Sequence, residues 1–393
     1  MYFVPLTETK VNQRFYSLDV FRGATVCLMI LVNNPGTWGA IFDPLEHAKW
    51  HGCTPTDLVF PFFLFAVGNA LAFVMPRMQQ MPQSQALTKI IRRGVSIFLI
   101  GLLLNWFPFV KWDGAELVFK PFSTLRIFGV LQRIALAYTF AALIIYFFKT
   151  KGAFYTATIL LLGYWVITAM CGDPADPYSL EGFWGTGLDR SLLGADHLYK
   201  GEGVPFDPEG LASTIPAIAQ VIFGFLVGDY IQQKGKNAEM VANLFVAGVT
   251  LWLAGMAWGL VFPINKKIWT SSYVLYTIGL AIMILTTFIQ LIEFRNWKGG
   301  WSRFFDVFGK NPLFIFVMSG VIPKLLALVR IPNGMNDQGQ QKYVSPLGWF
   351  YEHICKPVST KLETGSLLYA VLFILFFWFM AWVMDQKKWY VKV

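Results

Sequence analysis

Long apolar stretches recur along the whole chain and restrict its fold more than any other feature. About ten segments have the roughly 20 mostly apolar residues that a helix needs to cross the ~30 Å core of a bilayer. With 55% hydrophobic and only 14% charged residues, a soluble domain could not keep its surface solvated. The sequence therefore predicts an all-α polytopic membrane protein, with spans near 18–36, 56–75, 90–109, 124–148, 153–171, 211–232, 240–262, 268–292, 304–328 and 365–384.

Basic residues cluster in the connections on one predicted side of the membrane. An even number of spans places both termini on the same side, and cytoplasmic connections are enriched in Lys and Arg. We therefore expect both termini to be cytoplasmic. The net charge of +9 then reflects membrane orientation, so no nucleic-acid partner is predicted. The supporting cations include Lys10, Arg14, Arg77, Lys89, Arg92, Arg93, Lys234, Lys236 and Lys392.

Three long connections fall on the outer side, at 37–55, 172–210 and 330–364. Long ordered loops commonly cover or form a functional site. Carboxylates concentrate in the second loop, which favours an amine-bearing partner. The chain has no linker-like tract and its start lacks the pattern of a signal peptide, so residues 1–393 are expected to form one domain whose first span remains an anchor in the lipid bilayer. Apolar outer faces of several spans would permit a homodimer.

A polar stripe runs along the first predicted span. Asp19 and Arg22 are three residues apart and meet on one helix face. Asn33 follows Arg22 at a spacing of about three turns, ~16 Å along the axis, so both point the same way. Lipid would not solvate such a stripe, which therefore faces protein or a polar cavity. An ion pair that only fixes helix depth is the structural alternative.

Arg133 is predicted near the bilayer middle in the fourth span, beside Gln132. An unpaired charge there costs several kcal/mol, so we expect a partner. The candidates are the carboxylates of Asp19, Asp57 and Asp306, or the phosphate of a ligand. A purely structural buried ion pair is the alternative.

Two of the four histidines, His47 and His51, lie together in the loop EHAKWHGCTPTDLVFP. No third ligand is spaced to complete a metal site, so none is predicted. Two interpretations remain: an inert surface loop, or a general base oriented by Glu46 or Asp57. The cysteines also lack metal-ligand spacing, and a disulfide stays open among Cys53, Cys171 and Cys355.

A series of motifs resembles the transmembrane catalytic domain of heparan-α-glucosaminide N-acetyltransferases. The resemblance covers spans one to eight, and spans nine and ten match more loosely. Without the large luminal domain, the chain is similar to short bacterial homologues, which implies a place in the bacterial cytoplasmic membrane. The motifs are SLDVFRG, LVNN, HAKWHG, TDLVFPFFLFAVG, GVLQR, LDRSLLGADHLYKG, FDPEGLASTI and NKKIWTSSYVLYT.

The resemblance implies acetylation across the membrane. In that family, cytosolic acetyl-CoA donates its acetyl group to the amine of a terminal glucosamine on the far side. By position, His47 matches the proposed active-site histidine and Asn33 the asparagine beside it. Arg22, Gln132 and Arg133 match positions expected to hold the CoA. Related membrane acyltransferases carry histidine where Asn33 stands, which favours N-acetylation over O-acetylation.

The chemistry of these residues agrees with the implied reaction. Asn33 would stabilise the charge that develops on the thioester oxygen, and His47, oriented by Asp57, would take the proton of the amine. The pantetheine arm is expected between spans one, four, eight and nine, which adds Ser272, Lys310 and Asn311 as cofactor-binding candidates. Direct transfer in a ternary complex is preferred, with an acetyl-imidazole on His47 as the alternative.

The outer loops supply candidates for binding the amino sugar: Glu46, Trp50, Asp196 and His197. Asp207 and Glu209 belong to the same acidic segment, whose structural interpretation is a folded cover held by turn bonds. Two other functions stay open. A polytopic transporter would carry similar intramembrane charges, although no inverted repeat is visible, and an envelope-glycan O-acetyltransferase would use the same acetyl donor.

Overall fold

The computed structural model describes residues 15–335 and 339–391. The cations Lys10, Arg14 and Lys392, and the first residues searched for a signal peptide, lie outside the described residues. The helices are α1 (Tyr16–Asn33), α2 (Val59–Gln79), α3 (Gln83–Trp106), α4 (Val130–Cys171), α5 (Trp184–Leu193), α6 (Leu211–Lys234), α7 (Ala238–Trp258), α8 (Ser271–Ile289), α9 (Gly300–Lys310), α10 (Pro312–Leu326), α11 (Pro346–Phe350) and α12 (Leu362–Gln386). Two antiparallel hairpins pair β1 (Val110–Asp113) with β2 (Glu116–Phe119), and β3 (Ile331–Met335) with β4 (Gln341–Val344).

The all-α polytopic architecture is confirmed. Within the described residues, seven helices are long and apolar enough to cross a bilayer, or eight if α9 and α10, bent by 80°, count as one span. Helix α3 occupies the predicted third span but carries Lys89, Arg92 and Arg93 in its first half. The number of ten spans and the side of the termini stay predictions.

Helix α4 contains two of the predicted spans. Its backbone leaves the helical conformation at Lys149, where φ is 56°. Arg133 and Tyr164, almost equally far on either side of Lys149, both contact one short segment: the Arg133 guanidinium lies over the Trp269 ring, and the Tyr164 hydroxyl donates to the carbonyl of Ile268. The chain therefore reverses direction at Lys149, and α4 consists of two antiparallel helices.

Helix α6 lies at the centre of the bundle, and 83% of its apolar 18-residue stretch is buried. Helix α7 lies at the periphery, and 22% of its corresponding stretch is buried. Glycines bring α6 against α2: a Cβ added at Gly68 would stand 2.0 Å from the carbonyl oxygen of Val221, and one at Gly224 would stand 2.2 Å from that of Phe65. Small residues allow this close backbone approach between membrane helices.

The long connections gather at one end of the bundle, here called the loop end. The Trp50 indole donates to the carbonyl of Tyr178, and Gly52 N–H donates to that of Ile264. A ring nitrogen of His197 contacts the carbonyl of Leu125. The opposite end, with Arg22, Lys89, Arg92 and Arg93, is called the basic end. This division agrees with the predicted clustering of the long loops.

Candidate active site

His47 and Asp57 form a short hydrogen bond at the loop end. His47 Nδ1 lies 2.6 Å from Asp57 Oδ1, and the carboxylate is 1% exposed whereas the imidazole is 40% exposed. The other carboxylate oxygen accepts the N–H groups of Ala48 and Thr54, each at 3.0 Å. The side chain that caps the start of the second span therefore also orients the histidine. With Nδ1–H donated to Asp57, Nε2 keeps its lone pair.

A cavity of about 230 Å³, here called the histidine cavity, opens beside His47. Cavities that combine aromatic walls with a few convergent polar groups are typical ligand sites. The lining of this one mixes charged and aromatic side chains, namely His47, Asp57, Arg126, Glu202, Glu209, Lys266 and Lys267 with Trp50, Tyr199 and Trp269.

Lys266 is the second charged group against the histidine. Its Nζ lies 3.1 Å from Nδ1 and 3.4 Å from Nε2 of His47, and 3.5 Å from Asp57 Oδ1. Burial lowers the pKa of Lys266, while the carboxylates of Asp57 and Glu209 oppose that effect. Lys266 and Asp57, which carry opposite charges, thus both contact the imidazole.

Asn265 and His51 fix the segment that carries Lys266. The buried Asn265 side chain accepts the N–H groups of Lys267 at 2.7 Å and Ile268 at 3.1 Å, and its amide lies 3.4 Å from His51 Nδ1. Burial lowers the pKa of His51, opposed by Asp176. His51 therefore supports the loop, and His47 faces the cavity.

Arg126 organises the acidic wall of the histidine cavity. Its guanidinium donates to both carboxylate oxygens of Asp207, at 2.8 and 2.7 Å, and to Glu209 at 2.5 Å, and it lies over the Tyr199 ring. Burial disfavours the carboxylate of Glu209, but Arg126 and then Arg133 outweigh it and lower its pKa. Glu209 therefore presents a negative charge to the cavity.

Arg133 is fully buried below the histidine cavity. One terminal nitrogen donates to the carbonyl of Gly210 and to the hydroxyl of Ser213. Nε and Nη1 have no hydrogen-bond partner. Within the described residues no carboxylate forms a salt bridge with Arg133, so the three candidate carboxylates Asp19, Asp57 and Asp306 are wrong, and the phosphate of a ligand stays a prediction. A backbone carbonyl oxygen and a hydroxyl oxygen accept hydrogen bonds from Arg133 instead of a carboxylate, and the nitrogens Nε and Nη1 donate none.

Three adjoining cavities lie on the other side of Arg133. A cavity of about 700 Å³ at the basic end is lined by Lys89, Arg92, Arg93 and Tyr138. Arg93 and Tyr138 also line a smaller cavity of about 110 Å³. Arg22 lines this smaller cavity and a third cavity of about 330 Å³. These cavities lie among α1, α2, α3, α4 and α10. Helix α8, expected along the pantetheine path, contributes no lining residue.

The layer between the two groups of cavities is thin. Val130 lines the histidine cavity and Ile134 lines the 110 Å³ cavity. Four residues of α-helix correspond to about 6 Å. Arg133 and the ring of Trp269, with 4.9 Å between the guanidinium carbon and the ring centroid, occupy this layer.

Among the predicted substrate-binding residues, only Trp50 lines the histidine cavity. The Glu46 side chain points to solvent, and Asp196 is a 70% exposed partner of Lys200. His197 is engaged 2.7 Å from the carbonyl of Leu125. These three residues belong to the folded cover.

The residues predicted to bind the acetyl donor fall into two groups, those that line a cavity and those that make contacts within the protein. Arg22 lines two cavities, pairs with Asp19 at 2.8 Å and donates to the carbonyl of Gly309. Ser272 donates to the carbonyl of Phe262, Lys310 pairs with Asp306 and Asp385, and Asn311 bonds the backbone of Trp389 and Val391. The side chain of Gln132 packs beneath Gly101 and leaves its amide nitrogen without a partner. Ser272, Lys310 and Asn311 therefore serve internal contacts.

Asn33 is the last residue of α1, is exposed, and does not line the histidine cavity. Its catalytic role stays a prediction. In the described part of the chain, no three His, Cys, Asp or Glu side chains are grouped to hold a metal ion. The four cysteines are free thiols, and burial raises the pKa of Cys53 to about 12.

Sequence reasoning missed Lys266, Arg126 and Trp269. The motif NKKIWTSS contains two of them, and a lysine pair directly ahead of a predicted span on the acidic side was the available signal. Nothing in the sequence indicates which lysine reaches His47, since that contact joins loops far apart in the chain.

Comparisons with known proteins point to one family. Residues 14–243 match the family profile described as heparan-alpha-glucosaminide N-acetyltransferase, catalytic. The chain is 26% identical to the human heparan-alpha-glucosaminide N-acetyltransferase over 363 residues, 77% of this chain and 52% of that protein. The mouse protein of the same name is also 26% identical, over 80% of this chain and 54% of its own length. The chain thus spans about half the length of the curated relatives it matches.

Proposed function

The chain belongs to the heparan-α-glucosaminide N-acetyltransferase catalytic family, and we propose that it is a transmembrane N-acetyltransferase. It moves the acetyl group of acetyl-CoA to the amine of a glucosamine-type sugar at the loop end. The observation that carries this proposal is the His47 imidazole, which is oriented by the buried Asp57 carboxylate and lines a cavity. A histidine arranged in this way is a general base.

The acetyl donor enters from the basic end. Lys89, Arg92 and Arg93 can neutralise the phosphates of CoA at the mouth of the large cavity, and the smaller cavity beside Arg22 suits the narrow pantetheine arm. The unpartnered Nε and Nη1 of Arg133 support this path. Buried donors without acceptors are costly, and a thioester carbonyl oxygen in the thin layer would satisfy them.

The acceptor occupies the histidine cavity. Trp50 and Tyr199 offer ring faces for the apolar side of a sugar, and the carboxylates of Glu202 and Glu209 can accept bonds from its hydroxyl groups or ammonium. The amine nitrogen of the sugar attacks the carbonyl carbon of the acetyl thioester, and His47 Nε2 takes one proton from this amine. The carbon–sulfur bond then breaks, and the proton passes to the leaving thiolate.

The orientation follows from the two ends. The basic end faces the cytoplasm, where acetyl-CoA is made, and the loop end faces outward, with both termini cytoplasmic in the bacterial cytoplasmic membrane. The whole chain acts as one domain. A homodimer remains compatible with the exposed apolar faces of its outer helices, such as α7.

Purified protein in detergent, incubated with acetyl-CoA and glucosamine, tests the proposal. Mass spectrometry should detect N-acetylglucosamine together with an equal amount of free CoA. Binding of either compound without release of CoA would indicate a transporter instead. An ester-linked acetyl group in the product would assign O-acetylation. Acetylated His47 after removal of acetyl-CoA would indicate the two-step route.

A further inference from the structure

The contact between His47 and Asp57 affects which protonation state of the imidazole is favoured. A carboxylate at 2.6 Å, here Asp57, favours the imidazolium form of a histidine. An imidazolium has no lone pair and cannot accept the proton of an amine. Asp57 alone would therefore oppose the function of His47 as a base.

Lys266 supplies the opposing charge, because the carboxylates of Asp57 and Glu209 favour its ammonium form against the effect of burial. Its Nζ lies 3.1 and 3.4 Å from the two ring nitrogens of His47, so a proton arriving at Nε2 would place two positive charges side by side. We propose that Lys266 is a positioning residue that keeps His47 neutral and its Nε2 lone pair available. This inference rests on the proposed function, in which His47 acts as a base.

The hydrogen-bond directions support this role. Nδ1–H of His47 is donated to Asp57, so Nδ1 cannot also accept a hydrogen from Lys266. The ammonium lies 3.5 Å from Asp57 Oδ1 and 3.4 Å from His47 Nε2, and both distances are longer than an ordinary hydrogen bond. Lys266 thus acts on both side chains through its charge.

The remaining charged groups around the pair largely neutralise one another. Arg126 binds Asp207 and Glu209, and Lys267 binds Glu202 at 2.5 Å. Cys53 lies close enough to interact electrostatically with both Asp57 and Lys266. Burial, with a smaller contribution from Asp57, raises the pKa of Cys53 to about 12, so this residue stays a neutral thiol. Glu46, next in sequence to His47, is exposed to solvent and screened.

The neighbouring Lys267 provides a matched control. It lines the same cavity and carries the same charge, but it bonds Glu202 and the carbonyl of Lys49 rather than His47. Replacing either lysine by methionine removes one positive charge from the cavity. Only Lys266→Met removes the charge that touches the imidazole.

The direct test measures the protonation of His47 without any transfer reaction. Diethylpyrocarbonate modifies neutral imidazole, and peptide mass spectrometry locates the product on His47, with His51 as a reference in the same loop. We expect the pH midpoint of His47 modification to rise by about one unit in Lys266→Met, as removal of a like charge predicts. Lys266→Arg, which keeps the charge, and Lys267→Met should retain the wild-type midpoint.

An unchanged midpoint in Lys266→Met, with wild-type thermal unfolding, would overturn the proposal, as would an equal shift in Lys267→Met. If Lys266→Met does not fold, Lys266→Arg decides: a midpoint well above that of wild type contradicts a role based on charge.

Transfer kinetics separate this proposal from the proposed function. In Lys266→Met the acid limb of the rate profile should move to higher pH, with most of the rate recovered at alkaline pH, whereas a merely structural defect lowers the rate equally at every pH. A wild-type protein that transfers no acetyl group would refute the proposed function, and the modification midpoint would still judge Lys266.

Discussion

At the scale of single residues, Asp57 links the fold to the chemistry. The same carboxylate accepts the backbone N–H of Thr54 at the start of the second span, the backbone N–H of Ala48 in the preceding loop and the ring N–H of His47. The orientation of the His47 imidazole therefore depends on the start of this helix. A rearranged loop would lose both the helix cap and the contact with His47.

His47→Ala should lower acetyl transfer by at least about 100-fold, because general bases contribute 10²–10⁴-fold. Binding of acetyl-CoA should be retained, since the histidine cavity lies across the thin layer from the basic end. Mass-spectrometric turnover and calorimetric titration measure the two effects. His353→Ala is the control, because His353 is exposed and stacks only on Trp349. Wild-type turnover in His47→Ala would remove His47 from the mechanism.

Arg133→Ala should weaken acetyl-CoA binding by roughly 10- to 100-fold, because hydrogen bonds to charged groups contribute about 1.5–3 kcal/mol. Calorimetric titration of the folded variant measures the affinity. Arg77→Ala, which removes an exposed arginine at the end of α2, should leave it unchanged. Equal affinity in Arg133→Ala and wild type would assign Arg133 a structural role only.

Residue-level prediction from the sequence succeeded where the partners are close in the chain. His47 and Asp57 lie in one loop, so their pairing could be read from the motif. Lys266 reaches His47 from another connection, and the partners of Arg133 are a carbonyl and a hydroxyl. Carbonyl groups exist at every position, so the sequence offered carboxylates as candidates and could not identify the true acceptors.

At the scale of helices, glycines set the distance between α2 and α6. Gly68→Ala places a methyl group 2.0 Å from a backbone oxygen, so the helices must separate, and the melting temperature in detergent should fall by several degrees. Gly163→Ala is the matched control, because nothing lies within 4 Å of the added methyl group, and it should leave stability equal or slightly higher. Equal melting temperatures for Gly68→Ala and wild type would contradict this packing.

Helix α5 holds the start of α6 through Asp189, whose buried carboxylate accepts the N–H of Leu211 at 3.0 Å. Burial raises the pKa of Asp189 to about 6, although the Leu211 N–H opposes it. A raised carboxyl pKa stabilises the folded protein at low pH, and this contribution, at most about 3 kcal/mol, is lost as the pH rises from about 4, the ordinary pKa of an aspartate, to about 6.

The melting temperature of the wild type should therefore include a decrease between about pH 4 and 6 that Asp189→Asn lacks, since asparagine keeps the acceptor without the titration. Thermal unfolding at several pH values measures both proteins. Parallel curves for the two would show that Asp189 titrates normally.

Helix positions were largely predictable because each span repeats one simple requirement, a long apolar run. The breaks were harder. The predicted span 304–328 is divided into α9 and α10 at Pro312, which removes a backbone donor and bends the pair by 80°. The hairpins β1–β2 and β3–β4 were not predicted, because short polar strands within loops carry little periodicity.

At the scale of the whole molecule, two sets of cavities approach each other from opposite ends. Cationic side chains line the large cavity at the basic end. A histidine, carboxylates and aromatic rings line the histidine cavity at the loop end. About one helical turn separates them, with Arg133 in the layer. In the proposed reaction, this arrangement would let donor and acceptor meet while neither has to cross the membrane.

Transfer across a sealed membrane tests this account most directly. Proteoliposomes with glucosamine trapped inside receive labelled acetyl-CoA outside, and the labelled product is measured in the lumen after the vesicles are washed. We predict labelled N-acetylglucosamine inside, with free CoA outside, for wild-type protein oriented with its loop end inward, and none for His47→Ala. Product that forms only when acetyl-CoA and glucosamine share one compartment would contradict the account.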